Sequence, residues 1–122
     1  MLLRIGVDLI EIARVADAIA QHGQRYLDRI YTAAELEQSH AHAGSLAGRF
    51  AAKEAVAKAL GTGIGEVGWK DIEIVGDEQN APWVQLYGAA QRKSKEIGLS
   101  SWSVSISHSV SHAVAFVVAT GG

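Results

Sequence analysis

Asp8 interrupts an apolar run near the start of the chain, and Glu54 lies in an alanine-dense stretch, "RFAAKEAVAKALGTGIG", spanning Arg49 to Gly65. Lys53 flanks Glu54, and Lys58 follows four residues later. On a helix, Glu54 and Lys58 are spaced for an ion pair worth only about 0.3–0.5 kcal/mol on a surface. The same residue types have a second use. Magnesium is typically held by one or two carboxylates, with waters and substrate phosphates completing its octahedron. Lysines then balance the phosphate charge that the ion leaves unneutralised. A strand-end Asp beside a helical Glu and lysines therefore suits a magnesium–phosphate site, provided the fold joins positions 8 and 54.

Other candidates are weaker. Gly63-Ile64-Gly65-Glu66-Val67-Gly68 matches G-x-G-x-x-G, but that signature carries weight only between a strand and the helix it opens. Here the glycines follow a helix, so the dinucleotide reading fails. They still let a backbone lie close to a flat or phosphorylated ligand. Ser107-His108-Ser109 suggests a hydrolase triad, yet the chain has no G-x-S-x-G elbow, and alternating serines read as the wet face of a strand. His108 continues the parity of Trp102, Val104 and Ile106, which predicts a place at the strand's end on the core side. There it is either a hydrogen-bonded structural histidine or a phosphate or hydroxyl contact. His40 and His42 read as parts of a solvated loop, with no third ligand nearby.

The elements that must position these groups follow from periodicity. "LLRIGVDL" alternates, with Leu3, Ile5, Val7 and Leu9 on one face of an opening strand. Ile12, Val15, Ala16 and Ile19 fall at helical spacing, with Gly23 as the stop. Thr32 to Glu35 has capping-box form and opens a short helix that frays in "HAHAGS". A third helix runs roughly from Leu46 to Leu60 and closes at Gly61, where a left-handed turn favours glycine. "DIEIV" and "WVQLY" read as strands joined through "GDEQNAP", "GAAQRKSKEIG" as a polar helix, and "SWSVSIS" as a half-buried strand. "HAVAFVVA" is a last strand apolar enough to be covered on both faces. The expected fold is α+β, one domain over residues 1–122, with N-terminal helices packed on a largely antiparallel sheet.

Composition narrows the function. Apolar residues make up 48% and charged residues 20%, enough for a core and typical of a globular chain. At 122 residues the domain leaves apolar surface over, which is compatible with oligomers. There is no cysteine, which excludes disulfides and thiolate metal sites and fits a reducing cytoplasm. No apolar run reaches membrane-spanning length, and the net charge of −2 argues against a general nucleic-acid binder.

Three blocks then carry a resemblance. "GVDLIEIAR" at Gly6–Arg14, "GRFAAKEAVAKALGTGIG" at Gly48–Gly65 and "SVSISHS" at Ser103–Ser109 resemble the signature blocks of the holo-acyl-carrier-protein synthases, the short single-domain 4′-phosphopantetheinyl transferases. The resemblance spans almost the whole chain. It implies transfer of 4′-phosphopantetheine from coenzyme A to a serine of apo acyl carrier protein, in support of fatty acid biosynthesis. It further implies that Asp8 and Glu54 bind Mg²⁺ and that Lys58 lies near the diphosphate. Arg49 and His108 become phosphate contacts, while Thr62, Gly63 and Gly65 border the adenosine part. Glu54, Lys58 and a metal-bound water are the alternatives for the base that activates the serine. Arg14, with Arg25 and Arg29, becomes the docking face for the acidic carrier, although Gln21, His22 and Gln24 stand in a region often more basic in that family. Its short members are homotrimers with shared sites. Two rivals are a non-catalytic carrier-binding module on the same fold and an unrelated metal-dependent phosphohydrolase. The second lacks a further acidic or histidine cluster.

Overall fold

A computed structural model describes residues 1–122. Strand β1 (Leu2–Glu11) leads directly into α1 (Ile12–His22), and a short α2 (Gln24–Ile30) follows Gly23. Next come α3 (Ala33–Ser39) and the long α4 (Ala43–Leu60). A 3₁₀ turn at Trp69–Asp71 opens the hairpin β2 (Ile72–Gly76) and β3 (Pro82–Leu86), and α5 (Gly88–Ile97) leads to β4 (Ser101–His108) and β5 (His112–Gly121). All strand pairs are antiparallel, in a three-stranded sheet of order β1-β5-β4 and a separate β2-β3 pair. The α+β expectation holds, with two sheets where one was anticipated.

The central element is α4, which packs on β1 and β5 and also touches β2 and β4. Its alanines are what allow this. Ala47, Ala51, Ala52, Ala55, Ala57 and Ala59 are all buried, as are Ala113, Ala115 and Ala119 on the facing strand. Small against small lets the helix settle close to the sheet, where dispersion contacts are dense. The tightest approach is at Gly6: a Cβ added there would lie 1.9 Å from the carbonyl oxygen of Ala55. Gly6→Ala must therefore lift α4 from β1. We expect a loss of about 1–3 kcal/mol in denaturant unfolding, the usual cost of overpacking.

The predicted boundaries hold with informative exceptions. The Thr32–Glu35 capping box forms, and Gly61 ends α4 with φ 77°. The segment after α3 does not fray. His40 and Ala41 both take positive φ, reversing the chain so that α4 starts at Ala43, three residues earlier than periodicity suggested. Helix α2 has too few apolar positions to show a period, and was not anticipated.

The sheet settles which strand faces are covered and corrects one expectation. Leu3, Ile5, Val7 and Leu9 do share a face, but it is the exposed one, each side chain being at least half exposed. Their cross-strand partners are Thr120, Val118, Phe116 and Val114. β5 is consequently covered on one face only: Ala113, Ala115, Val117 and Ala119 are buried beneath α4, while Phe116 is exposed. The core side had to be the side of small residues, because the backbone of α4 occupies the space that larger side chains would fill.

Candidate active site

Asp8 lies on the core-facing side of β1, in the same cross-strand row as Ala115 and Ile106. Since β1 is an edge of the sheet, the Asp8 carboxylate reaches the rim rather than the core, and its side chain is 20% exposed. From α4, Lys58 comes to meet it. The ammonium donates to the Val7 carbonyl at 2.9 Å and to Asp8 Oδ1 at 3.2 Å. It makes no ion pair with Glu54 along the helix: the local pair that the spacing allowed gives way to one between elements. Glu54, one turn before Lys58, faces the same rim. Partial burial pushes its carboxyl up from the usual range, and the Asp8 charge pushes it further, against a smaller opposing pull from Lys58.

Thus residues 8, 54 and 58, far apart in sequence, form one cluster of two carboxylates and one ammonium. Two neighbouring carboxylates suit a hard divalent cation with oxygen ligands, so the donor set fits Mg²⁺. Gly6 makes the meeting possible by letting α4 sit close against β1.

The other anticipated site residues lie elsewhere. Arg49 points away from Asp8, toward the hairpin, where its guanidinium donates to the Ile74 carbonyl at 3.2 Å, Ser45 Oγ at 2.5 Å and Gln38 Oε1 at 3.3 Å. His108 ends β4 as expected and keeps the predicted parity, but it is exposed and not in the core. Its row, Ile10–Ala113–His108, is buried at Ile10 and Ala113, and only its β4 end, where His108 stands, is open. There it lines an open groove of ≈ 570 Å³ with Ile12, His42, Gly44 and Ser109. Thr62, Gly63 and Gly65 form the turn after α4; Gly63 and Gly65 have φ 67° and 122°, and the Thr62 hydroxyl is buried without a partner. Arg14 is exposed on α1. Arg25 and Arg29 are exposed on α2 and line a concave surface with His22, Tyr26 and Trp69.

The division has a simple geometry. Asp8, Glu54 and Lys58 lie at the β1 edge of the three-stranded sheet, and Arg49 and His108 flank its β4 edge. The grooves lined by His108 and by Arg49 include none of Asp8, Glu54 and Lys58. Sequence reasoning named these residues as candidates but not their separation, which depends on strand order.

Comparison with known proteins gives a consistent result. The model of the 4′-phosphopantetheinyl transferase superfamily matches residues 4–117. A holo-[acyl-carrier-protein] synthase of Herpetosiphon aurantiacus is 47% identical, over 98% of this chain and all of the relative. That of Chlamydia felis is 51% identical over 94% of each. Among solved structures, the Helicobacter pylori holo-[acyl-carrier-protein] synthase in complex with coenzyme A superposes with a TM-score of 0.88 at 36% identity. That match covers 95% of this chain and 99% of the other.

Proposed function

The chain belongs to the 4′-phosphopantetheinyl transferase superfamily and is a holo-[acyl-carrier-protein] synthase, and on that premise we propose how its residues divide the work. The enzyme moves 4′-phosphopantetheine from coenzyme A to a serine hydroxyl of apo acyl carrier protein, leaving adenosine 3′,5′-bisphosphate. Asp8 and Glu54 would hold Mg²⁺, and Lys58 offsets the charge that develops on the departing phosphate. When bound, the ion draws negative charge off the diphosphate oxygens. Phosphoryl transfer asks the protein mainly for positioning and charge neutralisation, and this cluster offers both. The observation that carries the reading is the meeting of Lys58 with Asp8 across 50 residues, at the rim that Glu54 also faces. Incubation with coenzyme A, Mg²⁺ and an apo carrier should raise the carrier's mass by one phosphopantetheine. Carrier binding with no gain in mass would favour the non-catalytic module instead.

The carrier docks on the cationic side of α1 and α2. Arg14, Arg25 and Arg29 are exposed there and have no carboxylate partner within ion-pair distance in the chain. Arg14→Glu should raise the KM for carrier roughly fivefold or more, increasingly so at low salt, while the KM for coenzyme A stays put. An unchanged carrier KM would remove Arg14 from the docking face.

The active assembly is a homotrimer. Support comes from the bare apolar face of β1 and β5, larger than the scattered apolar residues usual on a monomer. It also comes from the separation of Arg49 and His108 from Asp8 and Glu54. A ring joins one patch of a subunit to a different patch of its neighbour. In such a ring, the β1 edge of one copy can meet the β4 edge of the next and complete the coenzyme A site. The reading places the enzyme in the cytoplasm, in keeping with a chain that lacks cysteine and has no helix long and apolar enough to cross a membrane.

A further inference from the structure

Lys53 and Glu35 form an ion pair at 2.7 Å with no exposed side-chain surface on either partner. All three Lys53 donors and both Glu35 oxygens are engaged. The Lys53 ammonium also donates to the carbonyls of Trp69, at 2.9 Å, and Ile72, at 2.6 Å. Glu35 Oε1 accepts from the Thr32 amide at 2.9 Å, and Oε2 from the Ile74 amide at 3.0 Å. One pair thus ties α4 to α3, to the 3₁₀ turn and to β2.

Stability alone is a poor reason for such a device. Taking two charges out of water costs several kcal/mol per ion, and well-packed apolar replacements are often as stable or more so. What a buried pair supplies is directionality. Of the other eleven buried residues of α4, six are alanine and two glycine, so only Leu46, Val56 and Leu60 present larger side chains to oppose rotation about its axis. Lys53 immediately precedes Glu54, about 100° away around the helix. Holding Lys53 against β2 therefore decides where Glu54 points.

We propose that the buried Glu35–Lys53 pair is a positioning device, fixing the rotation of α4 at which Glu54 and Lys58 face Asp8. This rests on the assignment of Asp8, Glu54 and Lys58 to the reaction. Neither Glu35 nor Lys53 touches substrate. Both act through the helix.

The test is the double variant E35M/K53M, which removes both charges and leaves neither partner buried alone. It should fold, with a melting temperature near that of the unaltered protein. Its kcat should fall roughly ten- to hundredfold, the range for lost outer-shell support. Half-saturating Mg²⁺ should rise, the carrier KM should hold, and hydrogen exchange of the α4 amides should quicken. A folded double variant with unchanged kcat, Mg²⁺ dependence and exchange would overturn the proposal. Should the double variant fail to fold, E35Q decides, because it keeps the shape and an acceptor for Lys53. It must move kcat and Mg²⁺ dependence in the same direction, and unchanged values overturn the proposal. If E35Q also fails to fold, the pair carries the fold itself, and the positioning role is overturned. Glu54→Ala separates the two levels: a fully active Glu54→Ala would sink the underlying assignment, whereas an inactive one beside an unaffected E35M/K53M sinks only this inference.

Discussion

Glu54→Ala should lower phosphopantetheine transfer by about 10³-fold, with the fold and carrier binding retained. The size follows from what the residue faces. Glu54 shares its rim with Asp8, and each charge raises the energy of the other. Removing one carboxylate leaves Asp8 paired with Lys58 alone, a neutral pair with little hold on a divalent cation. The loss therefore includes cation binding as well as the alignment of the diphosphate. Removing one preorganised electrostatic contact costs about 10²–10³ in kcat elsewhere. Asp8→Asn should behave similarly, with a difference that identifies the role. Saturating Mg²⁺ or Mn²⁺ should restore part of the Asp8→Asn activity, since the amide oxygen remains a weak ligand, and little of the Glu54→Ala activity. The rate measured against metal concentration gives the answer. Wild-type turnover by Glu54→Ala at ordinary Mg²⁺ would show that the pair does not hold the metal.

The parts of this site legible in the sequence are those encoded by local pattern. An Asp at the end of an apolar strand, a Glu and lysines at helical spacing, and glycines closing a helix are all short-range statements, and each found its element. What stayed hidden depends on which surfaces touch. Periodicity shows that Leu3, Ile5, Val7 and Leu9 share a face, but not that a helix backbone will lie on the opposite one. The clue was Gly6 between Ile5 and Val7: a glycine in a strand marks close approach of another backbone. Lys53 was equally visible as a neighbour of Glu54, but its partner is a capping-box glutamate that already had a local explanation. That Glu35 serves both Thr32 and Lys53 is a property of the packed chain. Likewise Arg49 was read as a substrate contact from its block, while its direction, toward Ile74, Ser45 and Gln38, follows from its position about 140° around α4 from Glu54.

That angular separation sets up the second large effect. If each site takes Asp8 and Glu54 from one subunit and Arg49 and His108 from its neighbour, two dead variants should rescue each other. Glu54→Ala and Arg49→Ala would each be nearly inactive alone. Unfolded and refolded together in equal amounts, they form mixed rings. A site is intact wherever an Arg49→Ala subunit supplies the carboxylates and a Glu54→Ala subunit supplies the arginine. Random assembly makes about a quarter of sites whole, so activity should return to roughly a quarter of the unaltered level. A site built within one chain predicts none, because every chain then carries a lesion in its own site. The apolar face supplies the control. Val7 is 51% exposed and pairs with Phe116 at the centre of that face. Val7→Asp would bury an unpaired charge on assembly, at a cost large enough to hold the subunits apart. In an otherwise unaltered chain it should give folded monomers by sedimentation, with activity lost. Placed in both partners of the mixture, it should abolish the rescue. A monomeric Val7→Asp protein with full activity would instead mean that each chain completes its own site.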